Sequence, residues 1–357
     1  MGSKKKIVLG TVEIGGGAPV VIQSMTMSPT TDVEKTVREI QGLEEVGCEV
    51  IRVSVPDQAS AEALPYILKQ ISIPLIADIH FDYRMALASI EAGAHAIRIN
   101  PGNIGSLEKV RAIIQKAKEK NTAIRIGVNG GSLEKDLLDK YGYPTTEALV
   151  ESAVRYVEFF EKEGYTNFKI SMKSSDVRTT IDGYRKLSKQ VDYPLHLGVT
   201  EAGPAFAGSI KSAVAFGALL ADGIGDTIRV SLTADCKEEV KTAKEILKSL
   251  GLRTFGPDVI SCPSCARAEI DVVELANRVE KAVAHLKTPL KIAVMGCAVN
   301  GPGEAREAHV GIAGGKKEGL LYIDGKTAAK VPENELFQTL MKQIATLETG
   351  ETGKKDS

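Results

Sequence analysis

The chain contains no tryptophan, and aromatic residues of all kinds make up only 5% of it. It also lacks an excess of either charge: 45 Lys and Arg stand against 46 Asp and Glu, a net charge of -1. That balance excludes the broad basic surface expected of a nucleic-acid-binding protein or a polybasic membrane-binding one. No apolar run has transmembrane length, and the opening Met-Gly-Ser-Lys-Lys-Lys-Ile-Val-Leu-Gly is too short in apolar residues for a signal peptide. Cysteine is scarce, with five residues in 357. Such sparse use suits a reducing cytoplasm, the expected location, better than a disulfide framework. The hydrophobic share of 43% and charged share of 25% are ordinary for a soluble globular protein. The length allows one large domain and a smaller one.

What the chain does have is a repeat. Eight apolar, β-branched runs alternate with longer amphipathic stretches: Pro19–Met25, Glu49–Ser54, Pro74–Ile79, Ala96–Asn100, Ala123–Asn129, Asn167–Lys173, Pro194–Thr200 and Thr227–Ser231. Each interval leaves room for a crossover helix. Helix-start residues occur at Asp32, Ser106, Thr145 and Asp176, and glycines end several stretches, at Gly47, Gly93, Gly164 and Gly251. Strict alternation predicts an α/β fold, and eight units predict a closed (β/α)8 TIM barrel over residues 1–253.

Chemistry on this fold belongs to the C-terminal ends of the strands. Here those ends carry Arg52, Arg98, Arg125 and Arg229, with Lys173 at the end of the sixth run. Arginines at such positions are costly to bury unless an anion meets them. The guanidinium fork matches phosphate oxygens, so the expected ligand is a small molecule with at least two phosphates. Glu201, in Val-Thr-Glu-Ala-Gly after the seventh run, is a lone carboxylate facing this cationic mouth and suits proton transfer to a leaving oxygen. Asp78 and His80 read as a metal pair, an acid–base pair or structural residues. Cys48 and Cys236 read as small apolar core groups.

After Gly256-Pro257 the rhythm breaks. An amphipathic helix over Val272–Leu286, a strand at Leu290–Met295, short strands near His309–Ile312 and Leu320–Ile323, and a helix near Glu333–Glu348 predict a small α+β domain over residues 254–346. A frayed, disordered tail is expected over 347–357. Cys262 and Cys265 form a C-x-x-C pair, and Cys297 opens Gly-Cys-Ala-Val-Asn-Gly-Pro-Gly-Glu. Three thiolates leave a four-iron cluster, or a tetrahedral zinc, one strong ligand short, and Glu304 is the candidate for a weak fourth. At this level a zinc-dependent barrel hydrolase of a phosphorylated small molecule and a non-enzymatic iron–sulfur carrier or sensor both stay open. The chain has no C-x-x-x-C-x-x-C run of the radical S-adenosylmethionine type.

Ser-Cys-Pro-Ser-Cys-Ala-Arg, Met-Gly-Cys-Ala-Val-Asn-Gly-Pro-Gly-Glu-Ala, Gly-Val-Thr-Glu-Ala-Gly, Ile-Arg-Ile-Asn-Pro-Gly-Asn and Gln-Ser-Met-Thr together resemble the hydroxymethylbutenyl diphosphate synthases of the non-mevalonate isoprenoid pathway. The likeness runs from Gly10 to Leu347, with one departure at Ala266, where the family pattern has glycine. The resemblance implies an oxidoreductase that converts 2-C-methyl-D-erythritol 2,4-cyclodiphosphate to hydroxymethylbutenyl diphosphate by two-electron ring opening with loss of water. It implies one 4Fe–4S cluster per subunit on Cys262, Cys265, Cys297 and Glu304, with Glu304 giving way to substrate. The diphosphate is expected among Arg52, Arg98, Arg125, Lys173 and Ser231, with Asn100 and Asn129 nearby. Glu201 is expected to donate the proton, and Asn300 to lie between cluster and substrate. The implied partners are ferredoxin or flavodoxin and a second copy of the chain, in a homodimer whose cluster domain caps the other subunit's barrel.

Overall fold

The computed structural model describes residues 2–349, apart from Ala298, Asn300 and the side chain of Pro302. Asn300 and residues 350–357 of the expected tail therefore lie outside the described residues. By its internal contacts the chain divides into two compact units, one ending at Arg253 and one starting at Thr254.

The first unit opens with a feature the apolar repeat does not announce. Strands β1 (Lys6–Leu9) and β2 (Val12–Gly15) form an antiparallel hairpin. Its Ile7, Leu9 and Ile14 pack against Val21, Val50, Ile76, Ala96 and Ala123. The last five sit at or near the starts of strands, so the hairpin plugs that end with apolar side chains. Each hairpin strand is four residues long, too short for its alternation to stand out in the sequence.

Eight parallel strands follow: β3 (Val21–Met25), β4 (Val50–Ser54), β5 (Leu75–Asp78), β6 (Ala96–Ile99), β7 (Ala123–Asn129), β8 (Phe168–Lys173), β9 (His196–Leu197) and β10 (Thr227–Ile228). They form one sheet in the order β8-β7-β6-β5-β4-β3-β10-β9. Bridges Ile170–Leu195 and Ser174–Val199 join β8 back to β9, closing the barrel as the repeat predicts. Helices cover the outside with their apolar faces inward, and six of them begin at side-chain caps by Asp32, Asp57, Asp82, Thr145, Asp176 and Asp235. The regular ladder of β9 and β10 is much shorter than the apolar runs predict, because beyond two residues each run keeps only isolated bridges and single hydrogen bonds to its neighbours.

In the second unit β11 (Asp258–Ser261), β12 (Lys291–Met295), β13 (Val310–Gly315), β14 (Glu318–Ile323) and β15 (Lys326–Pro332) lie in that order in one sheet. The first three are parallel and the rest antiparallel. Helices Val272–Val283 and Leu336–Thr349 share an apolar core with the sheet, including Val279, Ile292, Ile312 and Leu340. Strands β11 and β15 are additions to the sequence reading. The latter is almost wholly exposed and carries Lys326 and Lys330, a solvated edge without apolar alternation. The expected tail starts too early: residues through Thr349 are helical, and Leu347 extends the apolar stripe of Leu336, Leu340 and Ile344 onto the core.

Candidate active site and metal edge

Parallel pairing puts registered residues on the same side of the sheet. Asp78 is in register with Arg98, Arg98 with Arg125, and Arg125 with Lys169. One charged row therefore crosses four neighbouring strands, with Asn129 and Lys173 paired further toward the strand ends. Arg52 is buried on β4, and Arg229, just past β10, is nearly so.

The carboxylates in this mouth have defined partners. Asp78 faces Arg98 Nη1 at 3.2 Å and Arg52 Nε at 3.4 Å. Burial alone would push its pKa up, but the two arginines outweigh burial and hold it at about 2. Asp78 is thus the counter-ion of two arginines rather than half of a metal pair with the half-buried His80. Glu239, from the helix Cys236–Ser249, meets Arg229 Nη2 at 3.4 Å.

The cations nonetheless outnumber the anions. Among the described residues Arg52, Arg98, Arg125, Lys169, Lys173 and Arg229 stand against Asp78, Glu201 and Glu239. Arg125 is the extreme case: it is 0% exposed, and none of its three side-chain nitrogens has a hydrogen-bond partner. Burial, then Arg52 and Arg98, push its pKa well below the ordinary arginine value. Burial and four surrounding arginines likewise depress the Lys173 amine, and burial, against the pull of Asp78 and with the help of Arg229 and Arg98, brings Arg52 down to about 10. Such a site holds charge against its own preference.

Close approach is built into the strands. A Cβ on Gly127 would stand 2.9 Å from Arg98 Nε, so only glycine leaves that guanidinium its place. Glu201 fronts a cleft of about 320 Å³ that Asn129, Lys173 and Thr200 also line. Its backbone is left-handed, with φ 54°, a conformation costly for a non-glycine residue and found where a side chain must be aimed. Asn100 is buried and fully engaged: its oxygen accepts from Gly102 N–H at 3.1 Å, and its amide donates to Ser132 Oγ. It therefore fixes the short helix Pro101–Ile104. Asn129 keeps its side-chain oxygen without a partner. Ser231 is half-buried in the turn after Arg229.

Sequence reasoning did not assign Lys169, Glu239 or the counter-ion role of Asp78. The signal for Glu239 was a carboxylate on the apolar face of its helix, beside Cys236, Val240 and Ala243. Cys236 is more than filler, since its thiol donates to the Met25 carbonyl at 3.2 Å. Burial pushes the thiols of Cys48 and Cys236 up to about 12, which leaves both inert at neutral pH.

The other cysteines lie in the second unit. Cys262 directly follows β11, and Cys297 follows β12 by one residue. Because β11 and β12 are adjacent and parallel, both thiols occupy the same edge of the sheet. Gly296 N–H donates to Cys262 Sγ at 3.2 Å. Backbone and side-chain donors of Arg267 lower the pKa of the exposed Cys265 thiol, and Arg267 also faces Cys297. Glu304 is exposed on the short helix Gly301–Arg306, whose first residue packs on Met295, two before Cys297. Among the described residues no three His, Cys, Asp or Glu side chains converge at the spacing of ligands on a single ion. Cluster thiolates bind different irons, and N–H groups aimed at their sulfurs tune them. Three thiols in one unit, one of them already accepting from a backbone N–H, are a donor set of the kind an iron–sulfur cluster takes.

The GcpE TIM-barrel domain family matches residues 4–244, and the GcpE protein C-terminal domain family matches residues 258–346. The chain belongs to the GcpE family. Among GcpE relatives, the "4-hydroxy-3-methylbut-2-en-1-yl diphosphate synthase (flavodoxin)" of Geobacillus thermodenitrificans is 54% identical over 96% of this chain and 92% of its own. The protein so named from Brevibacillus brevis is 56% identical over 95% and 94%. The GcpE barrel is also similar to a Yersinia pestis dihydropteroate synthase in complex with a sulfonamide drug, at 12% identity and TM-score 0.50, covering 70% of this chain and all of that one. That likeness speaks for the barrel fold alone. Among the described residues no helix is long and apolar enough to cross a membrane.

Proposed function

We propose that the chain reductively opens 2-C-methyl-D-erythritol 2,4-cyclodiphosphate to 4-hydroxy-3-methylbut-2-enyl diphosphate with loss of water, as a cytoplasmic step of isoprenoid biosynthesis. Arg125 carries this reading: a fully buried guanidinium without a partner, among further cations, at the catalytic end of a barrel. Two phosphates in one small ring supply the density of negative charge that such a mouth lacks. The relatives' names support both the product and flavodoxin, rather than ferredoxin, as the electron donor.

In this reading Arg52, Arg98, Arg125 and Lys173 hold the diphosphate oxygens. Ser231 and Asn129 add neutral hydrogen bonds, and Asn100 fixes the adjoining loop. Glu201 shares a cleft with Lys173 and donates the proton to the departing hydroxyl oxygen. Cys262, Cys265 and Cys297, with Glu304 as a weaker fourth ligand, would hold one 4Fe–4S cluster per subunit. When bound, that cluster supplies electrons one at a time. The role expected of Asn300, between cluster and substrate, belongs to the same proposal. So does a homodimer in which each cluster domain caps the partner's barrel.

The test is anaerobic turnover. Cluster-loaded protein given reduced flavodoxin and the cyclic diphosphate should release the linear diphosphate at two electrons per molecule. Protein with full iron and sulfide that leaves the cyclic diphosphate intact would contradict the proposal.

A further inference from the structure

Strand ladders normally hold the ends that carry a barrel's functional groups, but β10 pairs only through Thr227 and Ile228. Beyond it, Arg229 N–H reaches Leu197 O at 3.0 Å and Thr233 N–H reaches Gly203 O at 2.9 Å. Between those anchors lie Ser231 and Leu232. There a side chain replaces the missing ladder: Leu232 N–H donates to Glu239 Oε1 at 2.9 Å. The same carboxylate accepts from Ser24 Oγ at 3.3 Å and from Arg229 Nη2 at 3.4 Å.

Glu239 is 3% exposed and lies in the first turn of its helix, where the backbone dipole favours negative charge. Three residues earlier, Cys236 holds the Met25 carbonyl, and the Met25 sulfur accepts from Arg52 Nε at 3.2 Å and Nη2 at 2.9 Å. One helical turn therefore braces two strand ends that present cations to the mouth. Arg229 Nε keeps no partner, so the guanidinium is tethered at one nitrogen with a donor to spare.

We propose that Glu239 is a positioning residue of the diphosphate site, holding Arg229 and the Ser231 turn in the arrangement that receives the ligand. This rests on the reading of the barrel mouth as a diphosphate site. A bare count of charge makes the opposite prediction. Deleting a carboxylate from a mouth rich in cations should strengthen anion binding. The sign of the effect therefore separates positioning from simple charge balance.

The experiment uses the full cluster-loaded chain, with inorganic pyrophosphate as the calorimetric probe and the cyclic diphosphate for kinetics. In Glu239→Gln the pyrophosphate Kd and the KM should both rise about tenfold, with kcat within about threefold and iron content unchanged. Because Glu239 acts partly through Arg229 and partly through the Ser231 turn, adding Glu239→Gln to Arg229→Gln should cost less than the tenfold it costs in the parent, and a full tenfold there would overturn the Arg229 route. Unchanged or tighter pyrophosphate binding in Glu239→Gln would overturn the proposal. Should that variant fail to fold, Glu239→Asp keeps the charge and withdraws it by one methylene. A rise of about threefold is then expected, and an unchanged Kd overturns the proposal equally. Arg98→Leu is the control for the underlying reading. If it binds pyrophosphate like the parent, the diphosphate site itself is wrong. If it binds weakly while Glu239→Gln does not, only the role of Glu239 falls.

Discussion

The barrel mouth, rich in cations, and the cysteine edge, rich in thiols, are built in different ways. In the mouth Arg52, Arg98, Arg125 and Lys173 are each at most 9% exposed, and all stand on ladder strands. Asp78 fixes two of these arginines in advance. At the edge, Cys265 and Glu304 are exposed, Cys262 is half-buried, and the cysteines stand on loops. Gly296 N–H already donates to the Cys262 sulfur, and donors of Arg267 face Cys265. An anion site can be preorganised by a rigid scaffold, at the cost of storing unfavourable charge. A multi-ligand metal edge gains its final geometry from the group that binds.

The largest test of that contrast removes the thiolates. Cys262→Ser, Cys265→Ser and Cys297→Ser should each lose essentially all iron, acid-labile sulfide and turnover, because thiolates are the strongest iron ligands the described residues offer there. Near-parent iron and sulfide in any one of them would remove that cysteine from the ligand set. Next comes Glu201→Gln, which keeps the shape but cannot protonate. Turnover should fall roughly 10²–10⁴-fold with iron content and pyrophosphate affinity retained. Parent-rate turnover would move the proton to another donor, such as His80 or water.

Arg125→Met probes the stored charge. Pyrophosphate binding should weaken by roughly 10–100-fold, the loss of one charged hydrogen-bonding group. The ligand-free protein should nevertheless melt at higher temperature, by about 2–4 °C for each kcal/mol of relieved burial cost. A lower Tm would show that Arg125 has a structural partner after all.

The smallest effect is on acid stability. The Asp78 carboxyl sits at about 2 in the folded chain against an ordinary 3.8. Its ionisation therefore stabilises the fold above pH 3.8, and that contribution disappears as pH falls toward 2. Asp78→Asn should lower the Tm at neutral pH, and the gap from the parent should close across that window. A gap that stays constant down to pH 2 would mean that the ion pairs with Arg52 and Arg98 are not what holds Asp78 ionised.

Much of this was legible in the sequence because it is periodic or clustered. Eight apolar runs mark the barrel strands, and Arg52, Arg98, Arg125 and Lys173 at their ends mark the cationic mouth, whereas the row that joins Arg98, Arg125 and Lys169 follows only from strand register. The C-x-x-C pair and Cys297 mark the edge before any sheet is known. What stayed hidden depends on contacts between segments distant in sequence. The hairpin of β1 and β2 is too short to show a period, and its function as a plug follows only from the strand ends it covers. From the sequence Asp78 reads as a metal, acid–base or structural residue alike, and only the placement of Arg52 and Arg98 beside it makes it their counter-ion. Glu239 lies more than 200 residues from its partner Ser24, and no local pattern links them.

The most direct test of a preformed cradle is calorimetry of the cyclic diphosphate binding to cluster-free Cys297→Ser protein. With the phosphate contacts in place before any metal group arrives, its Kd should stay within about tenfold of the cluster-loaded parent, a difference of about 1.4 kcal/mol. Loss of measurable binding in folded Cys297→Ser protein would contradict the account and make the diphosphate site a product of the cluster.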